Sequence, residues 1–403
     1  MLIGTDNQLI DPQIGCEMEG YESRRSTGRH DHLTTSVFYL AKGETRLLFI
    51  ALDIVAVPGY RADRIKRQIT AQWQVPAEQV VIAAIHTHSG PTVTDLLLDY
   101  PDIDETYWQQ IDTQTVKAVA NAIQNAQPGR LALRAATVPD GIYANRDQAT
   151  MPYNRQLAQL VALDDDNKLL GALLLLGTHP TIMNVQNTQL SADLVGGVRQ
   201  AYQKRFGIRP VVMLTDCGNT STRYTRRESS FDEVMQKSEQ LVAGLIKAVD
   251  KPVTLGRLQS QQVTLTSDYN PMTNPDAQVL WTKINNETQA ATGARQDELK
   301  GFLSTYQHIR NFGHTHFQAH STILDCGDLR IVTYPGELVH TLGARIRHAD
   351  DKPTLLVTLA NDYRGYSVNQ EDFGQYFESY NSVLLRGTAD EFVARIVAAE
   401  QNM

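Results

Sequence analysis

Cysteine is scarce in this chain. Cys16, Cys217 and Cys326 are the only three among 403 residues, and no two of them form a CxxC pair. An odd, scattered set does not make a disulfide framework and fits a reducing compartment better. A basic surplus is also missing: the net charge is −8 and the isoelectric point about 5.8, which argues against generic nucleic-acid binding. Long apolar runs are absent too. The strongest, at 169–176, is far too short to span a bilayer. The N-terminus, Met1-Leu2-Ile3-Gly4-Thr5-Asp6-Asn7, shows no basic segment followed by an apolar one, so no signal peptide and a cytoplasmic location are expected. Neither a low-complexity linker nor a short internal repeat interrupts the chain. With 42% hydrophobic and 20% charged residues it has material for a sizeable core, and a single domain over 1–403 is expected.

The most informative stretch is Val80-Val81-Ile82-Ala83-Ala84-Ile85-His86-Thr87-His88-Ser89-Gly90-Pro91. An apolar run, the mark of a buried strand, stops in a turn of Ser, Gly and Pro. Two imidazoles stand where the strand ends, which is where open α/β sheets place ligands and catalysts. Imidazole there can bind a divalent metal or move protons near neutrality. The bland alternative is a pair of hydrogen-bonded histidines bracing a turn.

The rest of the chain alternates strand and helix patterns. Residues 1–34 are rich in Gly, Asp, Arg and His; within them 26–32 reads as a polar loop, with Gly28 as a turn residue and His30-Asp31-His32 as a second candidate cluster. Segments 36–40 and 45–53 read as a hairpin, 61–73 as a helix, and 80–85 as a strand, giving a βαβ order. A helix is expected over 105–126, with apolar positions at Ile111, Val116, Val119, Ala120 and Ile123. Strand 131–138 follows, then the polar Asn145-Arg146-Asp147. Next comes a hairpin, 157–163 and 168–176, around the acidic turn Asp164-Asp165-Asp166-Asn167, which reads as solvated. Further helices are expected over 194–206, 231–249, 338–347 and 388–400, and strands over 211–214, 252–266, 321–324, 329–333 and 355–360. Residues 270–312 read as a helical excursion near the site, interrupted at Gly293. His314, His316 and His320 share one strand face. This face reads as a polar His-lined surface, the alternative being a metal store. The fold class is α/β: a mixed β-sheet core flanked by helices, with a metal site at strand ends.

Four apolar runs thus end in His86 and His88, in His179, in Glu337, and in Tyr363 and Tyr366. Two His and one carboxylate with an open position make a hydrolytic zinc site, in which zinc lowers the pKa of its water and polarises a carbonyl.

Several motifs give this pattern a family. His86-Thr87-His88-Ser89-Gly90-Pro91 resembles the HTHSGP motif of neutral (alkaline, non-lysosomal) ceramidases. Tyr334-Pro335-Gly336-Glu337-Leu338 resembles their [FY]PGE[FL] motif. Leu359-Ala360-Asn361-Asp362-Tyr363-Arg364-Gly365-Tyr366, followed by Glu371, Phe373, Tyr376 and Glu378, is similar to their LANxYxxY segment and its sequel. Gly28-Arg29-His30-Asp31-His32-Leu33 resembles their approach to the first strand. The resemblance runs with gaps from about Gly15 to the C-terminus. It implies zinc held by His86, His179, Glu337 and Tyr366, with Tyr363 as the alternative fourth ligand. His88 would hydrogen bond the zinc-bound water or the substrate, and Arg146 would face an oxyanion or a product carboxylate. Ser221 is retained from the family's GDVSPN segment, which here reads Gly218-Asn219-Thr220-Ser221-Thr222-Arg223. Asn219 replaces the Asp and cannot act as a base, while Asp216 lies nearby but out of register. The secreted ceramidases also carry a leader and a C-terminal β-sandwich domain, and the likeness stops about where their catalytic domain does.

The expectation is therefore a ceramidase-like amidohydrolase of sphingolipid metabolism. It uses zinc to cleave the amide of an N-acyl, lipid-like small molecule, with His88, Arg146, Tyr363 and Ser221 as further site residues. Two alternatives stand beside it: a zinc esterase or deacetylase on a soluble substrate, and a silent metal-binding homologue. No nucleic-acid partner and no transmembrane segment are expected.

Overall fold

The computed structural model describes residues 1–94 and 103–403. Its strands and helices follow one arrangement three times over. The first unit is β1 (Leu2–Leu9), the hairpin β2 (Thr34–Lys42) and β3 (Thr45–Leu52), α1 (Gly59–Trp73), β4 (Val80–Ala84) and α2 (Glu105–Gln124). The second is β5 (Arg130–Thr137), the hairpin β6 (Gln156–Leu163) and β7 (Leu169–Leu176), α3 (Asp193–Phe206), β8 (Val211–Leu214) and α4 (Phe231–Gly244). The third begins with β9 (Leu255–Tyr269). It inserts α5 (Pro275–Ala290) and α6 (Gly293–Phe312), then resumes with the hairpin β10 (Thr315–Gly327) and β11 (Arg330–Thr333), α7 (His340–Arg347), β12 (Thr354–Val357) and α8 (Thr388–Gln401).

The sheets repeat this order in space: β4-β3-β2-β1, β8-β7-β6-β5 and β12-β11-β10-β9, the first two extended by the short strands Gln127–Pro128 and Lys251–Val253. In each unit the hairpins are antiparallel and the last two strands run parallel, as β3 with β4, β7 with β8 and β11 with β12. Parallel pairing needs a crossover, and α1, α3 and α7 supply it. The first two sheets pack face to face over one core, while α7 and α8 cover the third sheet over another.

Most expected elements form, and the differences have local causes. Leu2–Leu9 is a strand that the sequence pattern did not announce. It pairs along its whole length with β2, but only Ile3 among its apolar side chains is buried, so it lacks the alternation that reveals a strand. On α2 the buried stripe runs through Trp108, Ile111, Thr115, Ala118, Val119 and Ala122, leaving Val116, Ala120 and Ile123 at its margin. The helix expected over 231–249 ends at Gly244 and tightens into a 3₁₀ turn, Leu245–Lys247. Its start is fixed by Ser230, whose hydroxyl accepts from the Glu233 N–H. The acidic turn is solvent-facing and closed by the Asp164 carboxylate on the backbone of Asp166 and Lys168. The excursion over 270–312 forms the helical pair α5 and α6, parted at Gly293.

Helix α8 carries a buried acid. Glu400 lies 3.6 Å from Arg330, and burial, opposed in part by that guanidinium, pushes its carboxyl up to about 8. The folded chain therefore keeps a proton that the unfolded chain releases in the ordinary carboxylate range. The contribution is complete below that range and is lost as pH rises through about 8. Urea midpoints are expected to fall between about pH 5 and about pH 8, and Glu400→Gln is expected to flatten part of that decline.

Candidate metal centre

The site gathers at the C-terminal ends of the parallel pairs, and all three units contribute. His86 follows β4, His179 follows β7, Glu337 follows β11, and Tyr363 and Tyr366 follow β12. One strap joins the units. In it Ala84 N–H donates to Leu359 O, Asn361 N–H to Ile82 O, Ile82 N–H to the Asn361 side chain, and Thr358 N–H to Leu214 O. Leu359 and Asn361 reach these partners with positive φ, 51° and 66°, and His86 itself sits at 62°. Such backbone is uncommon outside glycine and persists where the surroundings over-determine it. Close approach sets two glycines. A Cβ on Gly218 would meet the Leu338 backbone at 2.7 Å, and one on Gly20 would meet the His88 ring at 2.4 Å.

His86, His179 and Glu337 are each buried, and their ligating atoms lie within 4.8 Å of one another. Hydrogen bonding fixes the tautomer of both imidazoles. His86 Nδ1 is 2.7 Å from Val55 O, and His179 Nδ1 is 2.9 Å from Cys217 O and 3.0 Å from Thr220 O. A carbonyl only accepts, so each Nδ1 carries the hydrogen and each Nε2 presents a lone pair. Those lone pairs face a carboxylate: Glu337 Oε2 is 2.7 Å from His179 Nε2 and 3.3 Å from His86 Nε2. Acceptors this close need a cation or a proton between them. Burial, and then the neighbouring Arg146, lower the His179 pKa and disfavour the proton. Burial alone would raise the Glu337 carboxyl, but positive charge at His86 and His179 outweighs it and lowers it well below the usual range; with both imidazoles neutral, a cation at the same point would take that role. The donor set fits a divalent metal ion.

Other side chains close the centre. Tyr366 Oη is 3.2 Å from His179 Nε2, so it reaches the same point. Tyr363 donates to Glu337 Oε1 at 2.5 Å and thereby leaves Oε2 to the histidines. His88 Nε2 is 3.3 Å from His86 Nε2, and burial followed by the charges of His86 and His179 keeps its pKa well below the usual imidazole range. Arg146 Nε donates to Glu378 at 2.6 Å, and its Nη1 lies 3.4 Å from His179 Nε2. The guanidinium also stacks over Tyr366 and Phe377.

The remaining candidates go elsewhere. Ser221 Oγ accepts from the Arg223 N–H, and the residue lines the cavity beyond Arg146. Asn219 is a strut: its amide N–H donates to Asp147 and its oxygen accepts from the His340 N–H. Asp216 is held by Arg347 and His340, outside the centre. His30 stacks on Phe231, Asp31 binds Ser191 and Ala192, and His32 pairs with Asp11, so that cluster does not converge. His314 and His316 approach Asp268 and His320 reaches Thr264 on an exposed strand face. Among the described residues only His86, His179 and Glu337 form a ligating group. Glu378, the anchor of Arg146, was legible only as part of a motif, and nothing in the sequence marked its pairing.

Comparison with known proteins agrees with this architecture. Residues 3–249 match the family model described as Neutral/alkaline non-lysosomal ceramidase, N-terminal. A neutral ceramidase of Drosophila pseudoobscura pseudoobscura is 26% identical over 230 residues, which cover 49% of this chain and 31% of that protein. The chain thus spans about a third of the length of this curated relative. The crystal structure of neutral ceramidase from Pseudomonas aeruginosa superposes with a TM-score of 0.76 at 19% identity, covering 100% of this chain and 75% of that one. A ceramidase complexed with C2 gives 0.75 at 18% identity over the same shares. At these identities the solved structures speak for the fold, and the family match covers more than half of the sequence. This chain belongs to the neutral/alkaline non-lysosomal ceramidase family.

Proposed function

We propose that the chain is a zinc-dependent amidohydrolase that cleaves the C–N bond of an N-acyl substrate. The observation that carries this reading is the meeting of His86 Nε2, His179 Nε2 and Glu337 Oε2 at one buried point, with both Nδ1 atoms already committed to carbonyl oxygens. His86 Nε2, His179 Nε2, Glu337 Oε2 and the Tyr366 phenol would hold the ion. When bound, zinc supplies a water of near-neutral pKa and a Lewis acid for the carbonyl.

The chain's own groups do the rest. Tyr363 fixes the Glu337 carboxylate by donating to its Oε1. His88, a neutral imidazole beside the ligands, accepts a proton at Nε2 from the attacking water and returns it to the leaving nitrogen. The water oxygen bonds to the carbonyl carbon, the C–N bond breaks, and acid and amine are released. Arg146 has a buried Nη2 without a hydrogen-bond partner among the described residues and faces the oxygen that gains charge. Ser221 and Asn219 take no part in bond breaking, so Asn219 in place of Asp does not by itself remove the chemistry.

The test is elemental analysis of tag-free protein together with amine release from a panel of N-acyl amides and matched esters. About one zinc per chain is expected, with turnover lost on chelation and restored by zinc. Failure to take up zinc on refeeding would overturn the centre. Full zinc with no turnover across amides and esters would instead leave a silent metal-binding relative.

A further inference from the structure

Beyond Arg146, on the side away from His179, lies a cavity of ≈ 560 Å³. That is room for a small molecule or one end of a larger one. Its walls come from the loop at 146–148, from 221–226, from α6, and from the turn at 375–378. Four guanidinium groups line it, those of Arg146, Arg223, Arg226 and Arg295, against the three carboxyl groups of Asp147, Glu298 and Glu378. The protein as a whole carries −8, so this local surplus does not follow from composition.

The pairing within the cavity is uneven. Glu298 serves both Arg223, at 2.9 Å, and Arg295. Glu378 is held by Arg146. Asp147 accepts from the Asn219 amide, and burial followed by the nearby Glu378 charge raises its carboxyl pKa. Arg226 donates to Thr181 O at 2.8 Å and forms no ion pair among the described residues. The rings of Tyr224, Phe302, Tyr376 and Phe377 supply flat apolar sides between these charges. In the segment resembling GDVSPN, Arg223 stands where the motif has Asn, so part of the surplus is a departure of this chain from the pattern it otherwise follows.

We propose that this cavity receives an anionic group of the substrate, bound by Arg223 and Arg226, so that the chain acts on N-acyl amides bearing a carboxylate a few bonds from the scissile carbonyl. Guanidinium forks match carboxylate geometry with two parallel hydrogen bonds. Arg146 is the shared wall: its Nη1 lies 3.4 Å from His179 Nε2 and it also lines the cavity, so the anion and the reacting carbonyl sit on either side of it. This inference rests on the amidohydrolase reading and narrows its substrate class.

Two substrate pairs test it on zinc-loaded protein. N-hexanoylglycine and its neutral isostere N-hexanoylglycinamide place the charge on the amine half. N-butylsuccinamate and the corresponding neutral diamide place it on the acyl half. In at least one pair the anion is expected to have kcat/KM at least about tenfold higher, with the advantage shrinking as salt rises. Arg223 is exposed, so Arg223→Ala should fold. In that variant the anion-to-neutral ratio is expected to fall toward one through KM, and Arg223→Glu is expected to invert it. Equal kcat/KM within both pairs, or a ratio that neither variant moves, overturns the proposal while leaving the hydrolase reading in place. If no amide is turned over, calorimetric titration with N-hexanoylglycine and N-hexanoylglycinamide still decides it. Tighter binding of the anion, lost in Arg223→Ala, supports the anionic site, and equal binding refutes it.

Discussion

Glu337→Gln is expected to purify with less than about a tenth of the wild-type zinc and to hydrolyse amides at less than about one thousandth of the wild-type rate. The reasoning starts from the two imidazole lone pairs. In the wild type they face a carboxylate oxygen at 2.7 Å and 3.3 Å, an arrangement that calls for a cation. A glutamine of the same shape offers an amide N–H there instead. It can donate to His179 Nε2 while its oxygen still accepts from Tyr363, so the variant satisfies the pocket without any ion. Fold and metal affinity are thereby separated. Metal-free wild type is expected to gain thermal stability on adding zinc, and the variant to melt at the same temperature with or without it. A variant that binds zinc and is stabilised by it as the wild type is would remove Glu337 from the ligand set.

The largest stability effect is expected at Asp53. Its two carboxylate oxygens each lie 2.7 Å from Arg199 Nη1, and both residues are wholly buried. Oδ2 also accepts from the backbone and hydroxyl of Thr34 at 2.8 and 2.9 Å, so the group ties the end of β3 to the start of β2 and to α3. Asp53→Ala strands the Arg199 charge in the core and should cost about 3–5 kcal/mol of unfolding free energy. The double variant Asp53→Ala/Arg199→Met removes both charges and should recover much of that loss. Urea unfolding of the three proteins measures it, and a single variant within about 1 kcal/mol of wild type would mean that water or another carboxylate compensates Arg199. Zinc content of the folded single variant should remain near the wild-type value, since Asp53 touches none of the three ligands.

Asp53 also shows where reading the sequence stops. It ends an apolar run just as His86, His179 and Glu337 do, and nothing in its neighbourhood of sequence distinguishes a structural ion pair from a ligand. What was legible was the ending of each buried strand in a polar residue, because a run of Val, Ile and Leu stopping at a turn is a local event. Convergence is not local. It depends on β3 with β4, β7 with β8 and β11 with β12 all delivering their ends to one place, and on a strap of backbone hydrogen bonds through Leu359 and Asn361. Likewise β1 is held by pairing with β2, and its exposed residues, Leu2, Asn7 and Leu9, fall on both faces, so no periodicity announces it. The threefold recurrence of the sheet order is carried by strand pairing and leaves no short repeat in the residues. The arginines of the cavity beyond Arg146 are scattered from 146 to 295 and come together only in space.

The division of the ligands among the three units has a consequence for biosynthesis. His86 and His179 are translated early and Glu337 late, well after the first two sheets have strands to pair. A nascent chain that has emerged only to the end of the second unit holds two imidazoles, no carboxylate ligand and no strap to draw their turns together. If these residues hold the ion, its capture would follow synthesis of the last third of the polypeptide, and a chain stopped after the second unit would lack the carboxylate needed to keep it.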